Sequence, residues 1–276
     1  MFRNGLNHKI WILLHCLLIF SLIAACGTTS QKSIADSTSI KADENILRVG
    51  ISPNAPPLIY KQGEKVVGLE AELAQEFAQY LRKSVRFIEV EWEDQIPALL
   101  DNRTDIIMSG MTVTKMRQVR ISFSEPYYKT GLMALFHKRH LRYLPERYLA
   151  RGIKVFSVKA KFGVIKGTTG ETYVLDRFGN ARKISQYDTY KKAVDALLYN
   201  DIDIFIHDGP IILLAASEND IKGLTTSMVL LTDDYLAWGI RKNDTELLIS
   251  ANRFIDTYKQ EGKLNSIISR WMPLEK

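Results

Sequence analysis

The segment ALLDNRTDIIMSG, beginning at Ala98, is echoed by ALLYNDIDIFIHDG, beginning at Ala196. Each runs from a helix end through a polar turn holding an asparagine, then to an aspartate, a short apolar strand and a glycine. A repeated helix-to-strand join constrains the fold more than any other feature, because two similar half-units imply two lobes built alike. Chance likeness between two common joins is the alternative, and letters alone leave it open, since short apolar runs are ambiguous.

The flanking sequence supplies the material for such lobes. LRVGIS predicts a strand, and GLEAELAQEFAQYL predicts a helix with Leu69, Leu73, Phe77 and Leu81 stacked at four-residue spacing on one face. VRFIEVEW predicts the next strand, and a short helix carrying Ile96, Leu99 and Leu100 precedes the strand in TDIIMSG. Alternating strands and helices of this kind point to an α/β fold.

Each repeat puts polar residues just past the carboxyl end of its strand, Ser109 in the first and Asp208 in the second, where open α/β sheets bind ligands. After Ser109 and Gly110 come two threonines and Arg117, with Thr114 suited to cap the short turn that carries the arginine. Hydroxyls, bare backbone and one guanidinium suit a carboxylate, because the guanidinium fork gives paired hydrogen bonds. Between the repeats, FGVIKGTTGETYVLDRF runs from a strand ending at Ile165 into Gly167, Thr168 and Thr169 at a helix start, where free amides and the dipole favour an anion. Each motif has a plainer reading: Arg117 as a surface arginine, Asp208 as a helix cap before Pro210, and Thr168 as an ordinary cap.

Composition removes several classes. Arg3 and Lys9 precede an apolar run over residues 10–20 that is short for a bilayer span, so residues 1–25 are expected to be a signal segment, with a retained anchor as the alternative. The letters LIAAC at residues 22–26 resemble a bacterial lipoprotein signal, which implies a lipid on Cys26 and loss of Cys16 with the signal. The tail after Cys26, rich in Ser, Thr and Lys, is expected to be a flexible tether over residues 26–44. Without residues 1–25, 35 basic side chains face 31 acidic ones, a net charge of +4. No basic run with interleaved aromatics suits nucleic acid. One remaining cysteine excludes an internal disulfide, and His137, His140 and His207 have no ligand spacing, so no metal or cofactor is expected.

Together GLEAELAQEFAQYL, WEDQIPALLDNRTDIIMSGMTVTKMRQVRISFSEPYY, GVIKGTTGETY, ALLYNDIDIFIHD and EGKLNSIISRW resemble the extracellular solute-binding proteins of family 3, over residues 47–271. The resemblance implies a two-lobed periplasmic-binding-protein-like fold (type II), each lobe a mixed sheet flanked by helices, joined by two hinge strands. It places lobe 1 at residues 45–134 plus 236–276 and lobe 2 at residues 135–235, with TGLMALFHK and YLAWGIRKN as hinge strands. It also implies a ligand-binding role for ten residues. Arg117 would clamp the α-carboxylate of an amino acid, Ser109, Gly110 and Thr112 would bond its carboxylate and ammonium, and Thr168 and Thr169 would add second-lobe contacts. Asp208 would pair with the ammonium, Trp92 would supply an aromatic wall, Ile165 an apolar contact, and Asn54 would reach the ligand from the first loop. The implied partners are a small amino acid and the permease of an ABC importer, with the chain a monomer in the periplasm or cell envelope, held to the membrane by its lipid alone.

Three positions depart from the family's pattern. Ala55 stands before Pro56 and Pro57 where many relatives carry an aromatic shelf; Gly68-Leu69-Glu70 replaces the more usual glycine, aromatic, aspartate; Gly170 stands where some relatives use a longer polar side chain. Two other functions fit the same fold, a dehydratase like the cyclohexadienyl dehydratases, with Glu70 and Asp208 the acids available to it, and a free-standing sensory domain.

Overall fold

The computed structural model describes residues 45–141, 159–226 and 229–272. The expected signal, the tether with Cys26, most of the basic stretch RHLRYLPERYLARG and residues 273–276 lie outside the described residues. The chain divides into a unit Met1–Ile46, of which Asn45 and Ile46 are described, and a unit Leu47–Lys276.

Strand β1 (Ile46–Ile51) leads through an antiparallel ribbon, β2 (Asn54–Ala55), β3 (Ile59–Gln62) and β4 (Lys65–Val67), into helix α1 (Leu69–Tyr80). Strand β5 (Ser84–Glu89), helix α2 (Gln95–Leu100), strand β6 (Ile106–Ile107), helix α3 (Lys115–Arg120) and strand β7 (Ser122–Phe123) follow. Strand β8 (Tyr128–Thr130) passes to β9 (Leu132–His137), then come β10 (Lys161–Ile165), α4 (Thr169–Phe178), β11 (Lys183–Tyr187) and α5 (Tyr190–Leu198). Strand β12 (Ile204–Asp208), α6 (Gly209–Glu218) and β13 (Leu224–Thr226) complete that half. Strand β14 (Asp234–Leu236) leads back to β15 (Gly239–Ile240), followed by α7 (Thr245–Gln260) and α8 (Lys263–Trp271).

Two five-stranded mixed sheets result, in the orders β5-β1-β6-β15-β7 and β11-β10-β12-β9-β13. The repeat seen in the letters is a repeat in hydrogen bonding. Asn102 and Asn200 both sit in the left-handed region, at φ 59° and 64°, where asparagine is tolerated better than a branched side chain. The next residues close the same turn, Arg103 N to Ala98 O at 2.9 Å and Asp201 N to Ala196 O at 2.8 Å. Each aspartate then clamps the first part of the neighbouring parallel strand: Arg48 N donates to Asp105 Oδ2 and Lys161 N to Asp203 Oδ2, both at 2.9 Å. Chance likeness does not reproduce a turn, a backbone conformation and a side-chain clamp together. In the first copy burial pushes the Asp105 carboxyl up, but the Arg48 bonds and the charges of Arg48 and Arg241 outweigh it, and the group titrates below its usual value.

Helix α1 buries the predicted face, with Leu69, Leu73 and Phe77 inaccessible to solvent. Phe77 packs 5.2 Å from Trp238 and 5.3 Å from Phe254, which brings α7 onto the first sheet. In the second sheet Phe136, Phe162 and Ile206 pack under α4 through Val174 and Phe178. On its other face Leu135 and Phe205 meet α5 and α6 through Leu197 and Ile212.

The expected hinge segments TGLMALFHK and YLAWGIRKN are narrowed by the register, which leaves only Thr130 of the first and Tyr235 and Leu236 of the second in strands that cross. Strand β9 pairs along its length with β12, from Phe136 opposite Ile204 to Leu132 opposite Asp208, so residues 132–134 belong to the second sheet and not the first. Strand β15 pairs with β6 and β7, inside the first sheet. The strands that cross between the sheets are β8 and β14, which form their own antiparallel pair from Thr130 opposite Asp234 to Tyr128 opposite Leu236. An apolar strand looks the same in either sheet by composition, so the crossing point was not legible from the letters.

Candidate ligand-binding site

The carboxyl ends of parallel strands from both sheets face one pocket, as open α/β sheets arrange. Beyond β1 stand Ser52, Asn54, Ala55 and Leu58; beyond β5, Trp92; beyond β6, Ser109 and Gly110. The second lobe adds Ile165 and Thr168 around the end of β10, Asp188 beyond β11, His207 and Asp208 at the end of β12, and Ile211 from α6. The pocket takes in about 410 Å³ of space, its open mouth included. Seven of the ten expected contact residues line it: Asn54, Trp92, Ser109, Gly110, Ile165, Thr168 and Asp208.

Asp208 is 6% exposed, and its Oδ1 has no hydrogen-bond partner among the described residues. It occupies the N-cap position of α6, yet its side chain makes no capping bond, and Pro210 in the first turn has no amide N–H to donate one. Its Oδ2 lies 3.2 Å from His207 Nδ1, but that nitrogen accepts from the Asp208 amide at 2.7 Å. A ring nitrogen that accepts carries no proton in the neutral tautomer, so neutral His207 gives the carboxylate nothing. A buried carboxylate short of donors costs free energy until a cation arrives. The plain helix-cap reading of Asp208 therefore fails on geometry.

Arg117 lines the neighbouring cavity with Thr168 and Thr169, and not the pocket itself. Thr114 caps α3 as predicted, accepting from the Arg117 amide at 3.2 Å. Its Nη1 donates to Thr112 O at 2.8 Å and its Nη2 to Gly167 O at 3.3 Å, and the guanidinium lies 5.3 Å from the centre of the Trp92 ring. Burial pulls this guanidinium below its usual value, while the carboxylates of Asp208 and Asp234 pull it back. Thr112 is buried and lines neither space; its carbonyl holds the arginine and its backbone bridges to Leu236.

Around the start of α4 the local sequence explains which donors stay available. The Thr168 hydroxyl donates to Ile165 O at 2.7 Å and accepts from the Glu171 amide at 3.4 Å, and Glu171 accepts from the Gly167 amide at 2.8 Å. This is a capping box shifted by one residue. It leaves the amides of Thr169 and Gly170 without an acceptor among the described residues, at the positive end of a ten-residue helix. Gly170 is glycine for a packing reason: a Cβ there would sit 2.7 Å from Ile206 O, so α4 lies directly on β12.

The Ser109 hydroxyl accepts from the Ser52 amide at 2.9 Å and so joins the ends of β1 and β6. Gly110 takes φ +70°, and its amide turns away from the pocket to Glu70 Oε1 at 2.6 Å. Glu70 is completely buried and also accepts from Tyr127 and Trp238. Burial pushes its carboxyl up to about 7, although all three donors pull the other way. It lies behind the site and does not line it.

Sequence reasoning missed Ser52, Leu58, Asp188, His207 and Ile211 among the lining residues. Ser52 and His207 flank positions already singled out and were within reach. Leu58 and Ile211 are apolar residues whose spacing says core, and only the approach of the two lobes turns them toward a ligand.

The comparisons fit this geometry. An ABC transporter arginine-binding protein 1 of Escherichia coli (strain K12) is 26% identical over 235 residues, covering 82% of this chain and 90% of its own. The solved binding component of an ABC transporter from Wolinella succinogenes DSM 1740, complexed with lysine, aligns with a TM-score of 0.77 at 29% identity, covering 84% of this chain and 99% of that one. An ancestral amino acid-binding protein described as a precursor of cyclohexadienyl dehydratase aligns at 0.73 and 28% identity, covering 84% and 99%. The family model of the bacterial extracellular solute-binding proteins, family 3, matches residues 47–274, which takes in both sheets, both crossing strands and every residue of the pocket. With strand ends from two alike lobes meeting at one buried acid, the chain belongs to the bacterial extracellular solute-binding proteins, family 3.

Proposed function

We propose that this chain captures a free amino acid between its lobes and hands it to the permease of an ABC importer. The observation that carries the reading is the Asp208 carboxylate, buried at the pocket with Oδ1 unpartnered among the described residues, which is suited to a ligand ammonium. The ligand's carboxylate goes to Arg117 and the Thr169 and Gly170 amides, on the side of Thr168, which lines both the pocket and the neighbouring cavity. Opposite charges a few ångströms apart on one small molecule match that order of groups, and desolvating both ends requires partners for both.

The ligand's side chain is uncharged and compact in this reading. Away from Asp208 the walls are Ala55, Leu58, Trp92, Ile165 and Ile211. The Ser52 hydroxyl already donates to Val90 O at 2.7 Å and accepts from Gln95 at 2.8 Å. The charges at the rim are matched in pairs, Asp188 with Lys192 at 2.7 Å and Lys166 with Glu93 at 2.8 Å. Exposed pairs of this kind contribute little, and neither leaves a charge waiting for a ligand. Asn54, His207 and the Ser109 hydroxyl, whose oxygen accepts from Ser52 and whose hydrogen is left to donate, are the polar groups available to an amide or hydroxyl.

The protein acts as a binder and not a dehydratase. Of the two acids available for proton transfer, Glu70 has both oxygens engaged behind the site, and Asp208 faces the ammonium end. Outside the described residues, Cys26 carries a lipid and residues 26–44 tether the binding unit, which works as a monomer at the cell envelope. Mass spectrometry of protein extracted from membranes checks the lipid, and Cys26→Ser releases the chain in soluble form.

Isothermal titration with the twenty protein amino acids tests the reading. Uncharged side chains are expected to bind and Asp208→Asn to abolish that binding. Tighter binding of arginine, lysine or glutamate overturns the side-chain assignment alone, and no binding by any amino acid overturns the function.

A further inference from the structure

Glu70 is the buried titratable group that the binding site does not use directly. Its two oxygens accept from three separate segments: the Gly110 amide at 2.6 Å and the Tyr127 hydroxyl at 2.7 Å on Oε1, and Trp238 Nε1 at 3.0 Å on Oε2. Gly110 belongs to the turn that lines the pocket. Tyr127 immediately precedes β8, and Trp238 lies two residues past the end of β14, so both donors stand where the crossing strands leave the first lobe. A backbone bond from Tyr127 N to Leu236 O at 3.1 Å joins these two exits to each other. The Glu70 amide in turn donates to the carbonyl of Leu58, another pocket residue, at 2.9 Å.

We propose that Glu70 is a positioning residue that ties the ligand-contacting Ser109–Gly110 turn to both strands crossing between the lobes, so that contact at the pocket is passed to the hinge. The tie depends on a group that only accepts. Once ionised, above about pH 7, the carboxylate presents lone pairs on two oxygens and no proton, which matches three donors converging from three directions. Glutamine keeps the shape but turns an NH2 toward at least one of those donors. The network is enclosed by the rings of Phe77, Tyr127 and Trp238, so water does not readily replace a lost partner. A carboxylate needed only to anchor α1 would have its partners on that helix or on the sheet beneath it; these donors lie on the site turn and at the two hinge exits.

The proposal rests on the binding function above, and its test separates the two. Full-length parent, Glu70→Gln, Tyr127→Phe and a control, Phe178→Leu in the second lobe's core, are purified in detergent. Each is titrated with L-glutamine and L-alanine and followed by hydrogen exchange with mass spectrometry over residues 128–130 and 234–236. Glu70→Gln is expected to weaken binding at least tenfold and to lose ligand-induced protection in both crossing strands. Tyr127→Phe shifts both readouts the same way by less, and Phe178→Leu loses melting temperature but binds within twofold of the parent. Parent-like binding and protection in Glu70→Gln overturn the proposal, as does an equal loss in Phe178→Leu. If the parent binds neither of these two, the binding function is decided by the titration with all twenty amino acids, and exchange without ligand decides the tie: faster exchange in both crossing strands of Glu70→Gln than of Phe178→Leu upholds it, and equal exchange overturns it.

Discussion

Trp92 Nε1 donates to the carbonyl of Gly167 at 2.9 Å, so a side chain of the first lobe is bonded to the backbone of the second. Arg117 Nη2 donates to the same carbonyl at 3.3 Å, and the next residue back, Lys166, pairs with Glu93 at 2.8 Å. Gly167 is therefore where the closed lobes are latched. Trp92→Ala removes one hydrogen bond and the ring under Arg117, expected together to cost about 1–3 kcal/mol of closed-state stability. The measurable outcome is weaker ligand binding by calorimetry and a larger radius of gyration with ligand present; an unchanged affinity sinks the latch.

Arg117→Ala is expected to weaken ligand binding by about 2–5 kcal/mol, because it leaves a carboxylate buried without its fork-shaped partner. Arg117→Lys recovers a part, since an ammonium cannot reach Thr112 O and a ligand carboxylate with the same geometry. Dissociation constants of the three proteins for one amino acid check the order.

Asp208→Asn should act in opposite directions on stability and function. Without ligand the parent keeps a carboxylate oxygen buried and unpartnered, and a neutral amide is cheaper to bury, so the variant gains about 1–2 kcal/mol against urea. With ligand it loses the ammonium's counter-charge and binds hundreds of times more weakly or not at all. Urea midpoints without ligand, set against titration calorimetry, separate the two effects; a variant less stable than the parent contradicts the account.

Glu70 carries a pH dependence whose sign follows from its direction of shift. Burial pushes its carboxyl from 4.5 to about 7, so the folded chain holds the proton more tightly than the unfolded one across that window. Its contribution to stability is then fully present below about pH 4.5 and declines as pH rises through about 7, by about 3 kcal/mol in all. Asp105, held below its usual value, acts the other way in a more acid range. The Glu70 part is read as the difference between parent and Glu70→Gln in urea unfolding at pH 5 and pH 8, and a constant difference removes the claim.

Gly170→Ala tests the contact of α4 with β12. Its Cβ would meet Ile206 O at 2.7 Å, and backbone on both sides leaves little room to give, so a loss of about 1–3 kcal/mol is expected. Because the shift falls at the Thr169–Gly170 amides, ligand affinity should fall as well. A variant with parental stability and affinity shows that the helix moves freely there.

The letters alone pointed to the doubled architecture and located several of the pocket's polar groups. The two joins after Ala98 and Ala196 are local objects, each fixed by an asparagine that accepts φ near +60° and an aspartate that clamps the adjacent strand, so their likeness in sequence is likeness in structure. Thr114 capping the turn of Arg117, and Ser109 and Asp208 at strand ends, were legible for the same reason: short-range geometry follows short-range sequence. What the chain could not disclose is whatever depends on partners distant in sequence. The assignment of residues 132–134 to the second sheet rests on a register with residues 206–208, and the crossing role of β8 and β14 rests on a pairing between residues more than a hundred positions apart. Leu58 and Ile211 face the pocket only because two lobes meet there, and Glu70 is a hub only because Gly110, Tyr127 and Trp238 converge on it. Burial supplies the physical reason in each case: the same apolar strand or carboxylate serves different ends according to what the folded chain packs against it.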